Sequence, residues 1–417
     1  MDELLETQRG YGENGDAARI YVTGLGAVTP LGTSAPRTHE RWAAGECGVI
    51  EGIGRCSDFE PAERLSRKQI RRFDRFAQFA LYAAGEAADQ AGWSNELPAD
   101  RSRIGCVIGT GTGGMTTMLN MYEVFYGKAQ HHVPPALPVM AMANGACAAV
   151  TLHYKLQGES FAVVSGCSSG AQSIGAAMRM LRIGILDAAI VGGSDTAAND
   201  WSVKAYGASG ALSPAGIARP FDRDRDGYVL GEGAGVLILE RADIAKRRGA
   251  KILAEAVGYG ASTDAFHVTN PDPEGEGQAT AIKNALIDSG LQAEQIDWVN
   301  AHGTGTRLND PAETLALKKA LGTRAYEIPI SAPKSAFGHL IGAAGAVEAV
   351  ATISALRARV APPTLHLEHP DDELDLDYVP LRAKPLPPAS EKQRLTAITN
   401  SFGLGGHNAI LVFSSDA

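Results

Sequence analysis

Aromatic residues are scarce in this chain, 6% of 417 residues, while hydrophobic residues make up 45% and glycines number 48. An apolar interior with so few rings points to small-residue helices joined to strands by many tight turns, which is the α/β class. Cysteine is also sparse. The five cysteines, at 47, 56, 106, 147 and 167, are odd in number and show no C-x-x-C spacing, which argues for a reducing compartment and against a zinc site. Positive charge is in deficit, with a net charge of −9, which argues against general nucleic-acid binding. No run approaches the ~18 apolar residues of a membrane span. The opening MDELLETQRGYGENGDAA is acidic and has no apolar core, so residues 1–17 read as a disordered tail, not a signal peptide. The expected location is the cytoplasm. At this length the chain can hold two or three ordinary domains or one large layered body.

What is present centres on FAVVSGCSSG, residues 161–170. Residues of strand character run through small residues into a helical pattern, with Ile174, Ala177, Met178 and Leu181 at three- and four-residue steps. Cys167 stands at the apex of this elbow. The unpaired N–H groups and positive dipole end of the following helix favour a thiolate there, and could also hold an oxyanion forming on an attacked carbonyl. A free cysteine is most often a core residue. Position at an elbow weakens that reading without reversing it.

Strand and glycine-turn units recur along the chain. Arg19–Gly26 reads as the first strand and Ile104–Gly109 as a second, and Asp187–Asp195 and Ala234–Glu240 follow. Trp298–Ala301 ends in HGTGT, Ile328–Ala332 ends in PKSAFGH, and Ala397–Asn400 ends in SFGLGGHN. The segments around 161–194 and 328–358 share one pattern of strand, small-residue turn and helix, a sign of two related halves. Gly109, Gly111 and Gly114 satisfy G-x-G-x-x-G, but the acidic residue a dinucleotide site wants about twenty positions on is missing, so a glycine-lined pocket wall fits better. Asp222, Asp224, Asp226 and Gly227 open like a calcium-binding loop, yet the twelfth position is Gly233 and a strand follows, so no metal is expected. Arg64, Lys68, Arg71, Arg72 and Arg75 fall at helical steps and form a basic face in an acidic chain, suited either to solvent or to an acidic partner.

Cys167, His302, Lys334 and His339 thus all sit where strands end, the place ligands bind in α/β sheets. A lone histidine is usually a satisfied core residue. Two histidines and a lysine in glycine-rich turns of this kind favour function.

VSGCSSG, NAHGTGT, APKSAFGHLIGAAGAVE and NSFGLGGHN together resemble the β-ketoacyl-acyl-carrier-protein synthases, the ketosynthases of fatty-acid and polyketide synthesis, in the synthase I/II branch. The resemblance spans about 18–415. It implies the α/β thiolase fold, five αβαβα layers with two pseudo-duplicated halves, here about 18–265 and 266–415. It implies Cys167 as the nucleophile that takes the acyl chain, and His302 and His339 as the pair that assist decarboxylation of malonyl-carrier protein. Lys334 is expected near His339 with Glu348 as its partner, and the N–H groups of Cys167 and Leu404 as the oxyanion hole. Thr304 and Thr306 are expected on the phosphopantetheine arm, Phe402 beside the nucleophile, Thr112 in the acyl pocket, and Leu137 reaching across a dimer. Lys68, Arg71 and Arg72 are expected to dock acyl carrier protein. No metal or redox cofactor is implied, only substrates carried on phosphopantetheine.

The chemistry agrees with these roles. A thiolate accepts and then surrenders an acyl chain. Neutral histidines can stabilise an enolate by donating to it where water is excluded. A thiolase would want a second catalytic cysteine, and the initiating type III synthases carry Asn where His339 stands. A non-catalytic chain-length factor normally lacks the nucleophile. A catalytic subunit paired with such a factor stands beside the homodimer as the alternative. Leu404, where synthase II relatives often have Phe, suggests a gate that opens more easily, and Thr112 replaces a bulkier apolar residue, leaving the pocket entrance wide.

Overall fold

The computed structural model describes residues 19–93, 96–127 and 133–415, and the expected tail over 1–17 lies outside them. Two sets of five strands make up the main sheet. The first is β1 (Ile20–Val28), β2 (Ile104–Gly109), β3 (Ser160–Val163), β4 (Ala188–Thr196) and β5 (Glu232–Arg241). The second begins with β6 (Ala254–Thr263), β7 (Trp298–Asn300) and β8 (Ile330–Ser331). A short ribbon of β9 (Val360–Ala361) and β10 (Lys384–Pro385) intervenes before β11 (Thr396–Gly403) and β12 (His407–Ser415).

The spatial order is β3-β2-β4-β5-β1-β6-β12-β11-β7-β8. Read inward from either edge, the two sets repeat one another: third, second, fourth, fifth and first strand. In each set the outer three strands are parallel and the inner pairings antiparallel. The sets meet only where Tyr21 and Val22 pair with Glu255 and Ala254. The duplication hinted at by the two strand–turn–helix segments is therefore complete. It turns over between β5 and β6, ahead of the boundary near 265 expected from sequence, because β6 is the counterpart of β1 and belongs with the second set.

Strand alternation shows how the layers form. On β5, Leu237 and Leu239 join the central core while Val236 and Ile238 join an outer one. The central core also takes Ile174, Ala177 and Leu181 of the helix Ser169–Arg182, and Val347, Val350 and Ile353 of the helix Ala344–Ala358. The outer core of the first half packs helix Arg75–Ala91 against Ile104, Ile108 and Ile190. That of the second half packs Ile282, Ala285 and Leu317 against Val299, Ile398 and Ile410. Helices therefore lie outside, between and outside the two five-strand sets, the αβαβα arrangement.

Small residues are what the middle layer demands. A Cβ on Gly170 would lie 2.7 Å from Ala346 N, and one on Gly345 2.9 Å from Ala171 N. The two central helices touch backbone to backbone, which leaves no room for large side chains. The stretch Ile341–Ala358 is apolar and long enough to cross a membrane by composition, with mean hydropathy 1.3, but 83% of it is buried inside the molecule. It is a core helix.

The basic run does not form one helical face. Ser66 starts the helix Arg67–Arg72 with a reciprocal capping box, Phe73 is extended, and Asp74 caps the separate helix Arg75–Ala91.

Candidate active site

Cys167 sits in the turn Gly166–Ser168 that links β3 to the helix Ser169–Arg182. The turn requires φ +61° at Gly166, a left-handed conformation that glycine adopts without strain. Loop 403–406 lies against it. The Leu404 backbone comes close enough to lower the Cys167 thiol, a Cβ on Gly166 would lie 3.8 Å from Leu404 N, and one on Gly403 3.2 Å from Cys167 N. The two N–H groups of the expected oxyanion hole thus border the same thiol.

The thiol itself behaves differently from the sequence-based expectation. Burial pushes it up to about 11, the Leu404 N–H and Lys334 pull it down, and the Asp195 and Glu348 carboxylates push it further up. At 7% exposure, desolvation outweighs the helix end, so the resting group is the neutral thiol.

His302 follows β7 and His339 follows β8, and their rings stand nearly perpendicular with centroids 5.5 Å apart. Lys334 Nζ lies 3.1 Å from His302 Nδ1, donates to the His302 carbonyl at 2.6 Å, and pairs with Glu348 Oε1 at 2.5 Å. Lys334 therefore serves His302, not His339 as its place in the sequence suggested, because the short helix Lys334–Phe337 aims it back at the neighbouring strand's turn. Glu348 is its partner as expected, both side chains being fully buried. His339 Nδ1 accepts from the Ile341 N–H at 3.2 Å. With both Nδ1 atoms facing donors, the proton of each neutral ring belongs on Nε2. Burial, reinforced by Lys334, holds both histidines well below the ordinary imidazole range, with His339 adding to the effect on His302.

A cavity of about 700 Å³ is lined by Cys167, His302, His339, Thr304, Thr306, Phe402, Leu404 and Thr112. Thr304 and Thr306 share a hydroxyl–hydroxyl contact of 3.0 Å, and Phe402 lies edge-on to His302 at 5.6 Å. Thr112 does line the space, but its hydroxyl is turned to Asp195 at 2.5 Å. Leu137 does not line the cavity within this chain. It is half-buried at the head of the helix Leu137–Ala141. Lys68, Arg71 and Arg72 are exposed and make no ion pair among the described residues, whereas Arg64 pairs with Asp89 and Arg75 with Glu232.

Several buried groups that hold the site were not anticipated. Glu313 accepts from the N–H groups of His302 and Gly303, each at 2.8 Å, and from Asn400 at 3.0 Å. Asp310 accepts from Gly305 N at 3.2 Å, and burial pushes its carboxyl up to about 6. Asp195 accepts from Gly111 N, Gly342 N, Thr196 N and Thr112. The signal for Asp310 and Glu313 was two acids three residues apart among alanines, and for Asp195 an acid at the end of an apolar strand. Asp222 of the calcium-like loop spends its carboxylate on the N–H groups of Asp224, Glu368 and His369. Asn300 Oδ1, Glu348 Oε2, Asn400 Oδ1 and Ser401 Oγ are buried with no partner among the described residues.

A buried cysteine between two backbone donors, facing two neutral imidazoles across one cavity in a duplicated α/β scaffold, defines a thiol acyltransferase of thiolase fold. The beta-ketoacyl synthase N-terminal domain matches residues 53–245 and the C-terminal domain residues 253–368. The 3-oxoacyl-[acyl-carrier-protein] synthase 2 of Synechocystis sp. is 40% identical, over 96% of this chain and 99% of its own. Among solved structures, the ishigamide ketosynthase/chain length factor superposes with a TM-score of 0.86 at 31% identity, over 96% of this chain and 99% of that one. A type II polyketide synthase acyl-carrier protein in complex with its ketosynthase bound to the hexaketide matches with a TM-score of 0.83 at 29% identity, over the same shares. The chain belongs to the β-ketoacyl synthase family. It is a transferase of fatty-acid or polyketide chain elongation.

Proposed function

We propose that Cys167 carries the acyl chain and that His302 and His339 jointly hold the enolate made by decarboxylation. Cys167 Sγ attacks the thioester carbonyl of an acyl-carrier protein. The oxyanion is met by the N–H groups of Cys167 and Leu404, and the pantetheine thiol leaves, taking up the proton that Cys167 gave up. A malonyl-carrier protein then enters past Thr304 and Thr306. Its carboxylate leaves as carbon dioxide, and the electron pair of the broken bond moves onto the thioester oxygen, which accepts from Nε2–H of both histidines. The enolate carbon attacks the Cys167 thioester, and the sulfur departs and regains a proton.

The observation that carries this reading is the pair of Nδ1 atoms already facing donors, Lys334 on His302 and the Ile341 N–H on His339. That supports both rings as donors through Nε2, and burial favours their uncharged form. Lys334 acts as a positioning residue for His302, and Glu348 for Lys334.

The reading extends to partners. Lys68, Arg71 and Arg72 offer unpaired charge to an acidic carrier protein. The outer edge of β3 and the exposed Val164, with Leu137 and the exposed Tyr122 and Tyr126 nearby in the first half, suit a second subunit, either another copy or a chain-length-factor-like chain. No redox cofactor enters any step, and the expected setting is the cytoplasm. Intact mass spectrometry tests the core of the reading: an acyl adduct should appear on Cys167 and discharge as β-ketoacyl-carrier protein when malonyl-carrier protein is added. An adduct that persists through that addition would overturn it.

A further inference from the structure

Two phenols in the cavity are used by none of these steps. Tyr206 comes from the helix Asp200–Ala208 and Tyr228 from the segment before β5, and both line the cavity that holds Cys167. Tyr228 stands edge-on to His339 at 5.1 Å, with Tyr206 6.4 Å from it. Burial raises both phenols, and ionisation of Cys167 would raise them further, so both stay protonated within electrostatic reach of the sulfur. Neither hydroxyl has a hydrogen-bond partner among the described residues, and neither is sealed from open space. Tyr82, Tyr154 and Tyr378, by contrast, spend theirs on Glu63, the Ala84 carbonyl and Thr314.

Buried tyrosines normally find a partner for the hydroxyl. Elsewhere in the lining Thr112 is already committed to Asp195, Ser209 to the Tyr206 carbonyl and Asp226 to Ser213, and Met115, Trp201 and Ala205 add largely apolar surface. A saturated chain seated here would strip water from two hydroxyls and return nothing, whereas a chain bearing oxygen would replace the lost bonds.

We propose that Tyr206 and Tyr228 read an oxygen on the acyl chain, so that the site selects chains keeping a ketone or hydroxyl near the thioester over saturated chains of equal length. The selection rests on Cys167 as the acyl carrier, as argued above. It makes the enzyme an extender of partly unreduced chains, and the class of reaction that supplies its substrate is one that leaves a β-oxygen in place.

A competition experiment tests this on the full chain. Equal amounts of a saturated and a 3-oxo acyl-carrier protein of the same length are offered together, and the two adducts on Cys167 are quantified by intact mass. The parent should favour the oxygenated chain by about tenfold, the worth of a net hydrogen bond. Tyr228→Phe and Tyr206→Phe should each lower the ratio several-fold, and the double variant should bring it to about one, with melting curves recorded alongside. A parent that shows no preference, or a folded double variant that keeps the parent ratio, overturns the inference. Equal loading of both chains defeats only the tyrosine assignment, while no adduct from either chain defeats the role of Cys167 itself.

Discussion

The two halves share one strand order and one turn, yet only one of those turns carries a cysteine. After β3 the chain makes the turn Gly166–Ser168 and enters the helix Ser169–Arg182. After β8 it makes the turn Ile341–Ala343 and enters the helix Ala344–Ala358. Gly166 has φ +61° and Ile341 φ +48°, so Cys167 in the first half corresponds to Gly342 in the second. The end of the fourth strand of each half also reaches across to the other half's turn. From β11 the Leu404 backbone comes up to the Cys167 thiol and lowers it, and at the end of β4 the Asp195 carboxylate accepts from Gly342 N at 3.0 Å.

The difference is instructive. Both turns present N–H groups at a helix start, where negative charge is welcome. In the second half a buried carboxylate fills that position permanently. In the first half it stays open beside the thiol, where a substrate oxyanion can form. Duplication supplied two equivalent cradles, and one is closed by a carboxylate while the other holds the thiol proposed as the nucleophile. The second half then contributes what the first lacks, His302 from the turn after β7 and Lys334 and His339 from the segment after β8.

Removing the nucleophile should break the contrast most completely. Cys167→Ala should leave no acyl adduct by intact mass and an unchanged melting curve, since Ala fits the turn. The thiol offers a second measurement. With its pKa near 11, its alkylation rate should keep climbing through pH 9 to 10. A plateau near pH 8 would mean that the helix end prevails over desolvation.

Next in size is the histidine pair. His302→Ala and His339→Ala should each lower malonyl decarboxylation by about 10²–10³, the worth of one preorganised donor. Both rings stay neutral well below the ordinary range, so decarboxylation in the parent should persist at pH 6, where a free imidazole is largely protonated. The folding linkage has a definite sign. The unfolded histidines take up protons near pH 6.5 and the buried ones do not, so their contribution to stability is whole above that pH and declines below it. Because raised carboxyls such as Asp310 act in the opposite sense, the check is a comparison: replacing both histidines with Ala should shift the pH 6.5 to 5.5 slope of the melting temperature towards gain on acidification, and an unchanged slope would contradict the buried neutral assignment.

The closed turn should matter to stability more than to chemistry. A Cβ on Gly342 would lie 2.1 Å from Gly111 N, so Gly342→Ala should destabilise by at least about 1–3 kcal/mol. Asp195→Ala, which strands the N–H groups of Gly111 and Gly342, should cost a comparable amount by denaturant melts. If both variants melt with the parent, the two turns are not equivalent in the way described. The smallest effect belongs to the outer surface. Lys68→Glu with Arg72→Glu should reduce turnover of carrier-borne substrate several-fold, with a salt dependence in the parent that the variant lacks. Turnover of a short pantetheine thioester should not change, and equal losses on both substrates would remove this face from docking.

Local chemistry was legible from the sequence wherever it is compressed into a few neighbouring residues. The elbow around Cys167, the glycine turns carrying His302 and His339, and the repeat of strand, turn and helix follow from short-range rules of turns and periodicity, whereas the pairing of Lys334 with Glu348 came only from the family resemblance. Relations set by distance through space were not. Lys334 is five residues from His339 yet holds His302, because the parallel neighbours β7 and β8 bring the turns after them side by side. The helix start beside Cys167 was visible, but only the packed cavity reveals the desolvation that outweighs it. Asp195, Glu313, Tyr206 and Tyr228 read as ordinary polar or aromatic residues in a linear chain. They acquire meaning only when the fold buries them against partners far away in sequence, or, for the two tyrosines, leaves their hydroxyls facing the cavity with none.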